Sequence, residues 1–229
     1  MSFLISDILS DIRNQWLETT GAYLCMKTVF LHGLGQDAQV WEPVLACLPE
    51  VDAVCPSLYM LPEGSYTWEN LRRSVTEMLN GFPGPLQLCG LSLGAVLALE
   101  YAAAYPDRVS ALILSAPQTD PPAWLMKVQG ILFRCMPEKT FDSIGLSKGD
   151  CIRLMTSMTA LELTDRLPGI SCPTLVLCGE RDRANRKAAE TVAGQIPDAL
   201  LRIVPGAGHE MNRQIPERLA AEMKPYIEK

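Results

Sequence analysis

The sequence is short of the residues that several functional classes require. Among 229 residues there are only two histidines, no C-x-x-C pair and no cysteine cluster near either histidine, so no metal site is expected. No N-x-S/T acceptor occurs, which removes one signature of secreted glycoproteins. Basic charge is also in deficit: 20 Lys+Arg stand against 26 Asp+Glu, for a net charge of −6. A chain of that sign does not attract nucleic acid or an anionic membrane over a broad surface. The opening residues Met1 to Ile5 carry no Lys or Arg, and Asp7 and Asp11 interrupt the apolar positions that follow. Neither a secretory leader nor a membrane span is expected from them, and the location expected is cytoplasmic.

What is present describes a globular enzyme-sized domain. Hydrophobic residues make up 48% and charged residues 20%, with 16 Gly and 17 Pro, a balance that rules out disordered, collagenous and coiled-coil chains. The eight cysteines do not read as a disulfide scaffold. Cys89 and Cys178 lie inside the apolar runs Leu86–Cys89 and Leu175–Cys178, where a thiol acts as a small hydrophobe.

Short apolar runs recur at Thr28–Leu31, Ala53–Cys55, Leu86–Cys89, Ala111–Leu114, Thr174–Cys178 and Leu200–Val204. Most are followed by a turn signal and a helix-like stretch, the pattern of a parallel sheet covered on both faces. The expected fold is therefore α/β: a doubly wound, mostly parallel sheet of about six strands. Trp68, Leu71, Val75, Met78, Leu79 and Phe82 step by three and four, an amphipathic helix that Pro83 and Gly84 stop. Ala95–Tyr105 is apolar on nearly every side and is the most buried helix expected; Lys187–Ile196 and Pro216–Met223 supply two more. Domain organisation follows from where the alternation fails. Residues 26–117 and 169–229 form the core, 118–168 a helical cap insertion, and 1–25 an extension. Leu4, Ile8, Ile12 and Trp16 step by four, which allows either a docked helix or a dispensable segment with Met26 as an alternative start.

Gly90-Leu-Ser-Leu-Gly94 lies between an expected strand and an expected helix, the context of a nucleophile elbow. A serine on so tight a turn needs small neighbours, and its hydroxyl stands above the sheet edge. Serine is a weak nucleophile by itself, so Ser92 requires a base, normally a histidine held by a carboxylate. His209, on the glycine-rich loop after the last strand, is the better placed candidate; His32 ends the first strand. Asp182, in Gly179-Glu-Arg-Asp182, is the preferred acid, with Glu180 and Asp120 as rivals. The order Ser92, Asp182, His209 is the order expected when a triad is carried on successive strands of such a sheet.

With these residues in view the chain resembles the α/β-hydrolase fold serine hydrolases with a small helical cap. The resemblance rests on His32-Gly-Leu-Gly35, Gly90-Leu-Ser-Leu-Gly94, Tyr105-Pro-Asp-Arg-Val109, Gly179-Glu-Arg-Asp182 and Gly206-Ala-Gly-His209, and runs from Lys27 to the C-terminus. It implies that the backbone N–H groups of Leu34 and Leu93 form the oxyanion hole and that His32 is structural. It implies catalysis without a cofactor, and as partner a small or medium, mostly apolar ester substrate rather than another macromolecule. Trp124, Met126, Phe133 and Met155 are candidates to line its pocket. The same triad also serves thioesterases, carbon-carbon hydrolases, cofactor-free haloperoxidases and lyases, and a binding module of this fold with little turnover is the non-enzyme alternative. Two departures stand out: the family's antiparallel hairpin before the first parallel strand is missing or replaced by residues 1–25, and the cap is short. Oligomeric state stays open.

Overall fold

The structure, a computed structural model, describes residues 26–60, 64–120, 131, 134, 136–142, 146–158 and 161–227. The expected extension at 1–25 and the expected pocket residues Trp124, Met126 and Phe133 lie outside them. Six strands form one sheet: β1 (Thr28–Leu31), β2 (Ala53–Val54), β3 (Leu86–Leu91), β4 (Val109–Ser115), β5 (Thr174–Gly179) and β6 (Ala199–Val204). Their spatial order is β2-β1-β3-β4-β5-β6, and every pairing is parallel. All six strands fall where the apolar runs are. β3 and β4 extend beyond those runs because the sheet also pairs Gly90 and Ser115, residues no hydrophobicity pattern selects.

The helices are α1 (Glu42–Leu45), α2 (Trp68–Asn80), α3 (Leu93–Ala104), α4 (Lys139–Asp142), α5 (Lys148–Ser157), α6 (Arg183–Gln195), α7 (Met211–Gln214) and α8 (Pro216–Ile227). Alternate strand residues face opposite sides, and two cores result. Val29, Leu31, Leu88, Leu112, Leu114 and Val176 share one with α2, α3 and α6. Phe30, Cys89, Leu91, Ile113 and Leu177 share the other with Trp41, Val44, Met211, Leu219 and Met223. Helices thus cover both faces, which explains why the central strands are continuously apolar.

Helix boundaries depart from expectation at the ends nearest the sheet's carboxyl edge. α3 starts at Leu93, two residues before the apolar run, and α6 starts at Arg183, four residues before the expected Lys187. Both begin directly at a candidate site residue, Ser92 and Asp182, whose neighbours are too polar or too glycine-rich to read as helix. Met155 lies in the first core with α2 and α3, so its burial is accounted for by packing.

The chain leaves β1 for β2 on one side and returns to β3 on the other. That reversal makes the carboxyl ends of β1 and β3 the topological switch point, where doubly wound sheets hold their ligands.

Candidate active site

Ser92 occupies the turn between β3 and α3 with φ 54° and ψ −112°, a region L residues rarely enter. Such a conformation costs about 1–3 kcal/mol and persists only where its surroundings impose it. Here they do. Ser92 N–H donates to Ser115 O at the end of β4, and Ser92 O accepts from Val96 N–H. The two motif glycines are required by space: a Cβ at Gly90 would lie 2.4 Å from Gly94 O, and one at Gly94 would lie 2.0 Å from Leu31 O. The helix can therefore approach β1 and β3 closely only with glycine at both positions. Its amino end, carrying the unpaired N–H groups and partial positive charge of a helix start, lies beside the serine.

The candidate base and acid meet. His209 Nδ1 is 2.7 Å from Asp182 Oδ2. Close approach of their two loops arranges this contact: a Cβ at Gly179 would lie 2.3 Å from Gly208 O, and Arg181 N–H donates to Ala207 O. Burial works to raise the Asp182 carboxyl, but hydrogen bonds from His209 and Asn185 outweigh it and hold the group below its ordinary value of 3.8. The rivals are occupied elsewhere. Glu180 accepts the Gly206 N–H at 2.8 Å, and Asp120 accepts the Leu163 N–H at 3.1 Å and the Thr164 hydroxyl.

Among the described residues no hydrogen bond joins Ser92 Oγ to the imidazole. The loop carrying His209 is tied instead to the loop after β1. Glu210, the next residue, accepts from Gln36 Nε2 at 3.0 Å, and Gln36 belongs to the loop after β1. His209 is thus on a loop joined to the loops that follow β5 and β1, strands that flank β3 and β4 in the sheet.

The loop after β1 accounts for its backbone donors. Gly33 N–H donates to Gln36 Oε1 and Gly35 N–H to Tyr59 Oη. Among the described residues the Leu34 and Leu93 N–H groups make no such bond. His32 is fully buried; its Nε2 accepts from Leu58 N–H at 3.1 Å and its Nδ1 lies 2.9 Å from Gly33 O. Those bonds fix the neutral tautomer with the proton on Nδ1, and burial lowers its pKa.

Sequence reasoning overlooked Gln36, Tyr59, Asn185 and Gln118. Only Asn185 left a readable signal, since it follows Asp182 by three residues at a helix start. The others are brought in by the tertiary fold. Groups of His, Cys, Asp or Glu able to hold a metal are absent among the described residues, as is any helix long and apolar enough to cross a membrane.

This constellation, on this sheet, defines the class. Residues 28–222 match the profile of the alpha/beta hydrolase family, and the chain belongs to that family. It is similar to the structure of a thermophilic esterase from Thermogutta terrifontis, with a TM-score of 0.71 and 25% identity over 89% of each chain. It is 30% identical to Lipase LipV of Mycobacterium tuberculosis (strain ATCC 25618 / H37Rv) over 40% of this chain and 37% of that protein. It is 32% identical to a pimeloyl-[acyl-carrier protein] methyl ester esterase of Legionella pneumophila (strain Corby) over 38% of this chain and 36% of that protein. The chain's match thus spans little more than a third of each of these two curated relatives.

Proposed function

We propose that this chain is a serine hydrolase that cleaves an ester-type bond of a small or medium, mostly apolar substrate. Ser92 is the nucleophile, His209 the general base and Asp182 the acid. The observation that carries the reading is the 2.7 Å contact between His209 Nδ1 and Asp182 Oδ2, in a chain whose Ser92 is held at φ 54° on the turn after β3.

In the reaction Ser92 Oγ attacks the ester carbonyl as its proton passes to His209 Nε2. Negative charge forms on the carbonyl oxygen, and the N–H groups of Leu34 and Leu93, with the α3 amino end, stabilise it. The tetrahedral intermediate collapses, the carbon–oxygen bond to the leaving alcohol breaks, and the imidazolium returns its proton to that alcohol. Water then attacks the acyl-enzyme with His209 again as base, releasing the acid and restoring Ser92. Asp182 holds the imidazole with its proton on Nδ1 and balances the cation throughout. In this reading the insertion at 118–168 is the cap. Esterase and lipase relatives support ester chemistry over the other reactions open to the same triad.

The test is fluorophosphonate labelling of the intact protein with peptide mapping, alongside steady-state hydrolysis of short-chain nitrophenyl esters. Adduct on Ser92 and a turnover that falls about a million-fold in Ser92→Ala are expected. An unlabelled Ser92, or unchanged turnover in that variant, removes the mechanism.

A further inference from the structure

The side chain of Asn185 is directed at the triad from the helix that Asp182 begins. Its Nδ2 lies 2.7 Å from Asp182 Oδ1 and 2.9 Å from Oδ2, and 3.1 Å from His209 Nδ1. When Nδ1 carries the proton given to Asp182, it cannot accept from the amide, so both nitrogens donate to the one carboxylate. An amide turned the other way would set its oxygen against that carboxylate. Gln118 prevents the turn: its Nε2 donates to Asn185 Oδ1, which leaves Nδ2 facing Asp182.

Asp182 needs such a donor. It is a buried polar residue, 7% exposed, and a carboxylate in that setting must be hydrogen-bonded to stay ionised. One oxygen alone is met by the imidazole. No Lys or Arg pairs with Asp182 among the described residues: Arg186 pairs with Glu190 at 3.0 Å, the Cys178 thiol faces Asp182 O at 3.7 Å, and Glu210 is bonded to Gln36 and Arg213.

Gln118 has a second connection. It lies two residues before Asp120, which accepts from Leu163 N–H and the Thr164 hydroxyl at the far end of the β4–β5 connection. Both ends of that connection are therefore joined at Asp120, next to the residue that orients Asn185.

We propose that Asn185, held by Gln118, is a positioning residue for the Asp182–His209 pair: its Nδ2 donates to the carboxylate within reach of both oxygens, which fixes the carboxylate plane against the imidazole and gives a side-chain donor to the oxygen that His209 does not reach. The inference rests on the triad reading. Asn185 touches no reacting atom and acts only through Asp182.

Asn185→Leu is the decisive variant. It keeps the approximate shape and removes the amide donor without setting a second carboxylate against Asp182. Asn185→Ala and Gln118→Ala complete the set. Expected are a kcat lowered about 10- to 100-fold in both Asn185 variants with KM little changed, and a smaller loss in Gln118→Ala. The proton NMR resonance of the His209 Nδ1–H, which is shifted downfield by its carboxylate partner, broadens or disappears in the same order while melting temperature holds. Wild-type kcat and an unaltered resonance in Asn185→Leu overturn the proposal. A raised KM with unchanged kcat overturns it too, since that pattern belongs to substrate binding. If wild-type Ser92 resists fluorophosphonate, the hydrolase reading fails by itself, and the resonance still decides the role of Asn185.

Discussion

At the scale of single residues, the two histidines show how environment separates one side chain into two roles. His32 has both ring nitrogens engaged with backbone and is fully buried. Protonating its Nε2 would set two N–H donors against each other, at Leu58. Its imidazole is therefore expected to titrate below its ordinary value of 6.5, with the proton on Nδ1, as nitrogen-15 NMR of the ring will report. Because its folded value is depressed, His32 contributes stability that is present above 6.5 and lost as pH falls through the lower folded value. Asp182 follows the same sign further into acid. Held below 3.8, it stabilises the fold above that pH and gives up that stability as protons return. Asp182→Asn is expected to flatten the decline of melting temperature below about pH 4 and to cut kcat about 10⁴-fold, since the amide supports the wrong imidazole tautomer. A decline as steep as the wild type's would assign the acid sensitivity to other carboxylates. Tyr59 shows how a remote residue reaches the site: its hydroxyl accepts from Gly35 N–H at 2.7 Å and donates to Gly33 O at 3.2 Å. Tyr59→Phe leaves Gly35 N–H unpartnered, at about 1–3 kcal/mol, and is expected to lower kcat more than melting temperature.

At the scale of elements, the site depends on how closely α3 can lie on the sheet. Its residues from Leu93 to Ala102 are all buried, so it offers no polar face and is held from every side. Gly94 lets its first turn rest on the β1 backbone, and a methyl group there meets Leu31 O at 2.0 Å. Gly94→Ala is expected to cost about 1–3 kcal/mol by overpacking and to lower turnover further by displacing Ser92 and Leu93. Denaturant unfolding with m unchanged checks the first part, and the rate of fluorophosphonate labelling the second. The other end of the helix layer is fastened by charge. Glu100 on α3, 7% exposed, accepts from Arg166 at 2.8 and 2.9 Å, which ties α3 to the turn Thr164–Gly169 before β5. Leu34 packs against a small separate cluster of Tyr59, Tyr66, Phe141, Leu146 and Cys151. The loop of the proposed oxyanion donor is thereby in contact with the α4–α5 region.

At the scale of the whole molecule, the distant loops are joined by one buried glutamine. Gln36, 1% exposed, accepts from Gly33 N–H and Asn212 Nδ2 at 3.1 Å each, and donates to Glu210 Oε1 at 3.0 Å. Gln36→Leu leaves those partners unsatisfied and releases the His209 loop from the β1 loop. A loss of about 1–3 kcal/mol with a fall in kcat beyond that of a stability-matched core variant is expected. Equal kcat in the two would limit Gln36 to a structural part. Taken by itself, the sequence determined the layer architecture, because burial on both faces writes the central strands as apolar runs and burial on one face writes the outer helices as stepped patterns. It also determined the strained turn that carries Ser92, because close-packed elements there tolerate only glycine at Gly90 and Gly94. Only the tertiary structure decided which carboxylate serves His209: Glu180 and Asp182 are two residues apart on one loop, and the choice turns on side-chain direction, which spacing does not encode. Gln36, Tyr59, Asn185 and Gln118 stayed hidden for a related reason. Three of their partnerships join positions from 24 to 174 residues apart, and Asn185 meets Gln118 across 67. Polar side chains of that kind carry no periodicity, and their meaning arises only when folding brings their partners within bonding distance.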